Sequence, residues 1–328
     1  MPITMFRVAS QILCAPILAL AFTAHAIAQG YPDKPIRFIV PNPPGGGADL
    51  VARVIGQKLA DSWGQQVVID NRAGAGGIIG TELAAKADPN GYTLMLGYTA
   101  NLCFAPSLFD KLPYDTAKDF SPVILVGTTS YVLAVHPSVP VKSVKELIAL
   151  AQLKPGQLNF ASIGNGQANH LAGELFKIMA GVNLVHVPYK GGGPALAAAV
   201  GGEAQLIFGS ALSTLVHVRA GRLRGLAITA AHRSPIASDL PTIAESGVTG
   251  YDMSTWIGVL VPAKTPKQIV ARLHTEIAKI LQIPEVKQRF SGNGLEPVMG
   301  TPAAFAALIR ADIAKWAKVI KGAGIRIN

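Results

Sequence analysis

Apolar and polar positions along this chain follow two rhythms. Short runs of β-branched residues or leucine, Ile36 to Val40, Val67 to Ile69 and Thr93 to Leu96, are bounded by turn residues. Between the first two, Val51, Val54, Ile55 and Leu59 recur at helical spacing. Strand, helix, strand in that order predicts a parallel sheet flanked by helices, an α/β fold. The rhythm resumes after His136-Pro137 with a helix over Val144 to Ala151, a strand near Leu158 to Ala161, a helix over Leu171 to Met179, and strands at Leu184 to Val187 and Gln205 to Phe208. Another strand is predicted from Trp256 to Val261. Two late helices each open on Thr-Pro, at Thr265-Pro266 and Thr301-Pro302, where threonine can cap and proline suits the first helical position. The last places Phe305, Leu308, Ile309, Ile313, Trp316 and Ile320 on one face and should end before Gly322.

One local plan occurs twice. A strand, a glycine-bearing loop and a helix follow one another from Ile39 to Leu59 and again from Asn159 to Met179, read as NFASIGNGQANHLAGELFKIM. Glycine lets backbone amides approach a ligand closely, and the first turn of the following helix offers unpaired N–H groups at a partly positive end. Pro43-Pro44 stiffens the first approach. One such loop is as easily a tight turn that binds nothing; two, at strand ends in separate halves of the chain, point to a shared site for a carboxylate or phosphate.

Length and composition set the outer bounds. At 328 residues, half of them hydrophobic and 15% charged, the chain can bury a large core and is long enough for two lobes. Residues 1–28 read as a secretory signal: Arg7 supplies the positive end, Ile12 to Phe22 a short apolar stretch, and Ala24-His25-Ala26-Ile27-Ala28 the small-residue cleavage choices. The apolar stretch is shorter than the ~18 residues a membrane span needs, so the mature chain is expected to be soluble and outside the cytoplasm. A lipoprotein is disfavoured because Ile12-Leu13-Cys14-Ala15 lacks small residues before the cysteine. Cys14 leaves with the signal, Cys103 stands alone, and no intramolecular disulfide is expected. A formal charge of +10 suits anionic ligands or simple solubility. The basic residues are scattered and not interleaved with aromatics, which argues against nucleic acid.

Other chemistry falls away on spacing. NRAGAGGIIG, Asn71 to Gly80, has its third glycine out of register for a dinucleotide loop, and no P-loop lysine follows a glycine run. The seven histidines show no metal-ligand spacing, and no serine sits in a G-x-S-x-G elbow, so neither metal, cofactor nor catalytic residue is expected. His170, in the first turn of the second glycine-loop helix, can donate to a bound anion or fasten the loop to the helix; the fastening role is slightly favoured. Asp49 suits the helix start as a cap and would repel an anion as a direct ligand.

Longer blocks carry a family resemblance. IRFIVPNPPGGGADLVAR, VVIDNRAGAGGIIG, PNGYTLMLG, HPSVPVKSVKELIALAQLKPGQLNFASIGNG, HLAGELFKIMAGVNLVHVPYKGGGPAL, LPTIAESGVTGY and IRADIAKWAKVIKGAGI closely resemble, in order from Tyr31 to the last helix, the tripartite tricarboxylate transporter solute receptors, or Bug proteins. The resemblance implies a type II periplasmic-binding-protein fold: one lobe from 29–128 plus 254–328, a second from 129–253, and a small carboxylate held between them. By position it implies ligand contacts from Pro44, Gly45, Gly46 and Asp49 on the first loop. On the second it implies Ser162, Gly164, Asn165, Gly166, Gln167, Ala168 and His170, with Tyr98, Thr99, Tyr189 and Lys190 as wall residues. It further implies a periplasmic monomer that is not an enzyme and that delivers its ligand to a membrane permease of the tripartite type.

The sequence departs from the usual family pattern at three places. Asn42 stands where an aromatic commonly precedes the prolines, Gln167-Ala168-Asn169 replaces a more hydroxyl-rich stretch, and Gly209 stands where an aspartate is common. Lacking that aspartate, the site is expected to favour a simple or aromatic carboxylate over an amino acid. Two other readings stay open: a receptor that informs a sensor protein without transport, and a secreted hydrolase on the same scaffold.

Overall fold

The computed structural model describes residues 30–327. The expected signal, residues 1–28, and Cys14 lie outside them. The first half of the molecule is built on β1 (Ile36–Val40), α1 (Gly47–Trp63), β2 (Val67–Asn71), α2 (Ile78–Ala85) and β3 (Thr93–Tyr98). Strand β1 pairs parallel with both β2 and β3. Ile36, Phe38, Ile39 and Val40 are all buried, as expected of a parallel strand covered on both faces. Helix α1 turns Val51, Val54, Ile55 and Leu59 inward and stops at Gly64, whose φ of 66° supplies the left-handed end.

A single long strand then joins the halves. β4 (Phe120–Val135) runs 16 residues, well beyond the usual five or six. Its residues 120–130 pair antiparallel with β9 (Ser254–Pro262), and Tyr131 to Val135 pair antiparallel with β7 (Leu206–Ser210). Around β7 lie α3 (Val144–Leu153), β5 (Asn159–Ser162), α4 (Ala168–Ala180), β6 (Val185–Pro188), α5 (Gly192–Gly201), α6 (Ala211–Arg219) and β8 (Arg224–Ile228). The chain returns through β9 to α7 (Lys267–Gln282), α8 (Pro284–Ser291), the short β10 (Glu296–Pro297) and α9 (Pro302–Gly322). The strand order β2-β1-β3-β9-β4-β7-β5-β6 therefore has a parallel wing at each end and an antiparallel centre, β9 beside β4.

Apolar packing follows that plan. One cluster joins β1, α1, β3, β9 and α7 through Phe38, Ile55, Leu94, Val259 and Leu273. A second, of Val132, Ala195, Ile207, Leu215 and Ile228, fills the second half. The third spans both halves: Met95, Phe104, Trp256, Phe305 and Trp316 from one, Phe160, Leu171, Phe176, Phe208 and Tyr251 from the other. Cys103 is buried in it, its thiol pushed up by that burial and by Asp312.

The late helices correct the expected caps in part. Thr301 caps α9 by accepting from Ala304 N–H at 3.1 Å, with Pro302 in the first turn. Thr265 does not cap α7: its hydroxyl donates to Pro262 O at 2.7 Å, and the helix starts beyond Pro266. Helix α9 runs through Gly322 rather than stopping before it, and its buried face includes Asp312, which accepts from Trp256 Nε1 at 2.7 Å.

Candidate ligand-binding site

The first glycine loop leaves β1 at Val40 and enters α1 at Gly47, with Gly46 as N-cap and no side chain bonded across the cap. Gly45 has φ +85°, a backbone conformation that side chains resist. Asp49 sits beneath this loop, 3% exposed. Its Oδ2 accepts from Gly45 N–H at 2.9 Å and from Arg53 Nε at 2.8 Å, while Oδ1 accepts from Asn71 Nδ2 at 3.0 Å. Burial alone would raise this carboxyl, but the bonds from Arg53, Gly45 and Asn71 outweigh it and hold the group below the usual carboxylate range. Asp49 thus keeps the loop folded back on its helix with its charge turned inward.

The second loop leaves β5 at Ser162 and enters α4 at Ala168, with Gln167 as N-cap and again no side-chain cap bond. Gly164 and Gly166 have φ of +135° and +70°. Ser162 Oγ accepts from Gly164 N–H at 3.1 Å and is hydrogen-bonded to His186 Nε2. Asn169 Oδ1 accepts from Ile163 N–H at 3.4 Å. His170 fastens the loop to its helix: Nδ1 accepts from Gly166 N–H at 3.0 Å, so the ring proton sits on Nε2, which faces Glu174 at 3.7 Å. The His170 and His186 rings stack at 3.7 Å with a 9° tilt. Burial, then the neighbouring His186 and Lys177, lowers His170 to about 3; burial, then Lys177, lowers His186 to about 4. Both rings are neutral at pH 7.

These two loops share a cavity of 320 Å³, which Asn42 and Pro43 line from one side and Gly166 and Gln167 from the other. A third loop, Gly74 to Gly77 between β2 and α2, also lines it, together with Tyr98 and Phe109. Tyr98 OH reaches Pro41 O and Gly76 O, each at 3.3 Å, and a Cβ on Gly77 would lie 2.3 Å from that oxygen. Burial pushes the Tyr98 phenol up to about 12, so it stays a neutral donor. On the closed side, Leu108 and Ile327 pack over Gly166, where a Cβ would meet Ile327 Cδ1 at 2.6 Å.

The residues singled out in the sequence fall into three groups. Tyr98, Gly166 and Gln167 line the cavity directly. Pro44, Gly45 and Gly46 stand exposed next to Pro43, Asn165 is exposed, and Gly164 and Ala168 are half-buried in the second loop and helix start. The others stand back from the lining. Ser162, Asp49 and His170 are buried supports of their loops. Thr99 is buried and accepts Trp256 N–H at 2.8 Å, tying β3 to β9. Tyr189 packs against the second-half cluster with its N–H on Ser162 O at 2.9 Å, and Lys190 is exposed. Sequence reasoning missed Gly74 to Gly77, a third strand, glycine loop and helix, whose glycines fit no dinucleotide register and yet line the cavity. Phe109 and Ile327 had no signal in sequence, since tertiary packing alone brings them to the cavity.

Elsewhere, a 340 Å³ depression lined by Arg53, Lys58, Glu285 and Arg289 touches none of the glycine loops. Among the described residues no cluster of three or more His, Cys, Asp or Glu is placed to hold a metal ion. Nor is any helix among them long and apolar enough to cross a membrane.

Comparison with known proteins bears on the same arrangement. The family model described as TctC, tripartite tricarboxylate transporter family receptor, matches residues 51–325. Protein BugT of Bordetella pertussis (strain Tohama I) is 38% identical over 313 residues, 95% of this chain and 96% of that protein. The structure of R. palustris Rpa4515 with adipate is 37% identical, superimposes with a TM-score of 0.75, and is matched over 90% of this chain and 100% of that one. The periplasmic binding protein BugD is 32% identical with a TM-score of 0.71, again over 90% of this chain and all of that one. The chain therefore belongs to the tripartite tricarboxylate transporter receptor family TctC, which includes the Bug proteins, and has the two-lobed α/β fold of periplasmic solute-binding proteins.

Proposed function

We propose that this chain is a periplasmic receptor that clamps a small carboxylate between its lobes, 29–128 plus 254–328 and 129–253, and delivers it to a membrane permease of the tripartite tricarboxylate type. The observation that carries the reading is that the two glycine loops leading into α1 and α4, helices of 17 and 13 residues without a side-chain cap, line one cavity, through Asn42 and Pro43 on one side and Gly166 and Gln167 on the other. Their unpaired first-turn N–H groups and positive ends complement a carboxylate from two sides. The adipate-bound relative supports that ligand class. With half the contacts on each lobe, bound ligand stabilises the closed arrangement over the open one, and closure is the state a permease can recognise. Binding and release are the whole task; no bond in the ligand changes. The matured protein acts as a monomer.

Calorimetry against mono-, di- and tricarboxylates tests the reading, followed by Gly46→Trp. A bulky side chain at the α1 N-cap is expected to weaken every carboxylate by at least about tenfold, the loss of roughly 1.4 kcal/mol. Unchanged affinity in the folded variant would remove the first loop from the site.

A further inference from the structure

Next to the second glycine loop lies a separate chamber of 120 Å³, formed where β5 and β7 end and α4, α5 and α6 begin. Its walls combine the apolar side chains of Ile163, Ala195, Leu196 and Ile207 with the uncharged polar side chains of Tyr131, Asn169, Ser210 and Ser213. No ionised side chain is among the described residues that line it. One wall residue, Thr214, is wholly buried, and its Oγ1 has no hydrogen-bond partner among the described residues. An orphaned buried hydroxyl is costly in a folded protein unless something brought to it completes the bond. The hydroxyl occupies the space above Gly209, where an added Cβ would lie 2.1 Å from it. Gly209 and Thr214 therefore act together: any side chain at 209 would displace the hydroxyl from this position.

We propose that this chamber receives the end of the ligand remote from its carboxylate, and that Thr214 Oγ1 hydrogen-bonds a hydroxyl or carbonyl there. The inference rests on the carboxylate clamp proposed above and adds the ligand class: a carboxylate with an uncharged, mostly apolar tail bearing one hydrogen-bonding atom. Volume sets the size. An apolar cavity of about 150 Å³ takes the six carbons of benzene, so 120 Å³ suits a tail of about four or five carbons. A second carboxylate would be stripped of water here with no cation on the walls to meet it.

Titration with hexanoate, 6-hydroxyhexanoate and adipate, matched in length and differing only at the remote end, tests this. In the unaltered protein 6-hydroxyhexanoate should bind tightest and adipate weakest, at least about tenfold below the first. Thr214→Val, which keeps the shape and removes the hydroxyl, should erase the preference for 6-hydroxyhexanoate over hexanoate and leave hexanoate within about twofold. Ala195→Leu, which fills the chamber, should weaken both uncharged ligands about tenfold or more. A hydroxyl with only a structural role would change melting temperature but not the ligand ratio. Adipate binding as tightly as the uncharged pair, or a ratio unmoved by Thr214→Val, overturns the proposal. Gly46→Trp separates the two levels: if it abolishes binding of all three while both chamber variants do nothing, the clamp stands and the chamber falls. If no carboxylate of the wider panel binds the folded protein, or binding survives Gly46→Trp, the clamp falls and this inference with it; if other carboxylates bind and none of these three does, the clamp stands and the chamber falls.

Discussion

Asp49 shows how a carboxylate can serve an anion site without touching the anion. Its oxygens are taken by Gly45 N–H, Arg53 and Asn71, so its charge is compensated within the loop and the helix that carries it. Asp49→Ala would leave the Gly45 amide without an acceptor and reduce Asn71 Nδ2 to its bond with Asn42 O, a loss of about 1–2 kcal/mol. Urea unfolding should show that loss, with carboxylate affinity falling alongside. The His170–His186 stack makes a pH prediction. Both rings are held neutral, near 3 and 4, against about 6.5 for an imidazole free in water. Above about pH 6.5 neither the folded nor the unfolded chain protonates them, and their contribution to stability does not change with pH. As pH falls below that, the unfolded chain takes up protons that the folded chain refuses, so stability drops by about 1 kcal/mol per histidine for each pH unit until the folded values are reached. Urea midpoints at pH 7.5 and 4.5 should differ accordingly, and His186→Gln should flatten the slope by removing one of its two sources and easing the depression of His170.

At the level of elements, the loop after β2 makes the clearest case. Gly77 has φ +96° and lies against the Tyr98 hydroxyl, so Gly77→Ala would strain the backbone and push Tyr98 from Pro41 O and Gly76 O. A destabilisation of about 2 kcal/mol or more and weaker carboxylate binding are expected, read by thermal unfolding and calorimetry. Thr301→Ala should cost about 1 kcal/mol by removing the α9 cap. By contrast, Thr265→Ala should leave the α7 start unchanged, because that hydroxyl bonds Pro262 O instead. What was legible in the sequence follows the same physics. Helix α1 and strand β1 announced themselves because one shows a single buried stripe and the other is buried on both faces. Helix α5, GGPALAAAVG, was passed over because it has neither a polar stripe nor a capping side chain. β4 did not read as one strand because Pro122 and Gly127 break its apolar run; both fall where its pairing with β9 shifts register. Gly127 admits β10, since a Cβ there would lie 2.7 Å from Glu296 O. Both glycine loops were readable from their turn chemistry, but the orphaned Thr214 hydroxyl has no trace in the sequence, since only packing decides whether a threonine finds a partner.

For the whole molecule, ligand should raise the melting temperature in a concentration-dependent way, by the equivalent of about 2.7 kcal/mol at a hundredfold excess over Kd. Small-angle scattering should report a smaller radius of gyration with ligand bound, and an unchanged radius would exclude closure. The long strand β4 gives that movement its character. Because it belongs to the sheets of both halves, pairing with β9 along 120–130 and with β7 from 131 onward, the halves are not beads on a string. Opening has to be stored as torsion in a shared ribbon, the way a leaf spring flexes, and neither half can be cut free without stripping a strand from the other. A fragment ending within 129–253 should therefore fail to unfold cooperatively, and grafting one half onto a foreign partner would carry a torn edge with it.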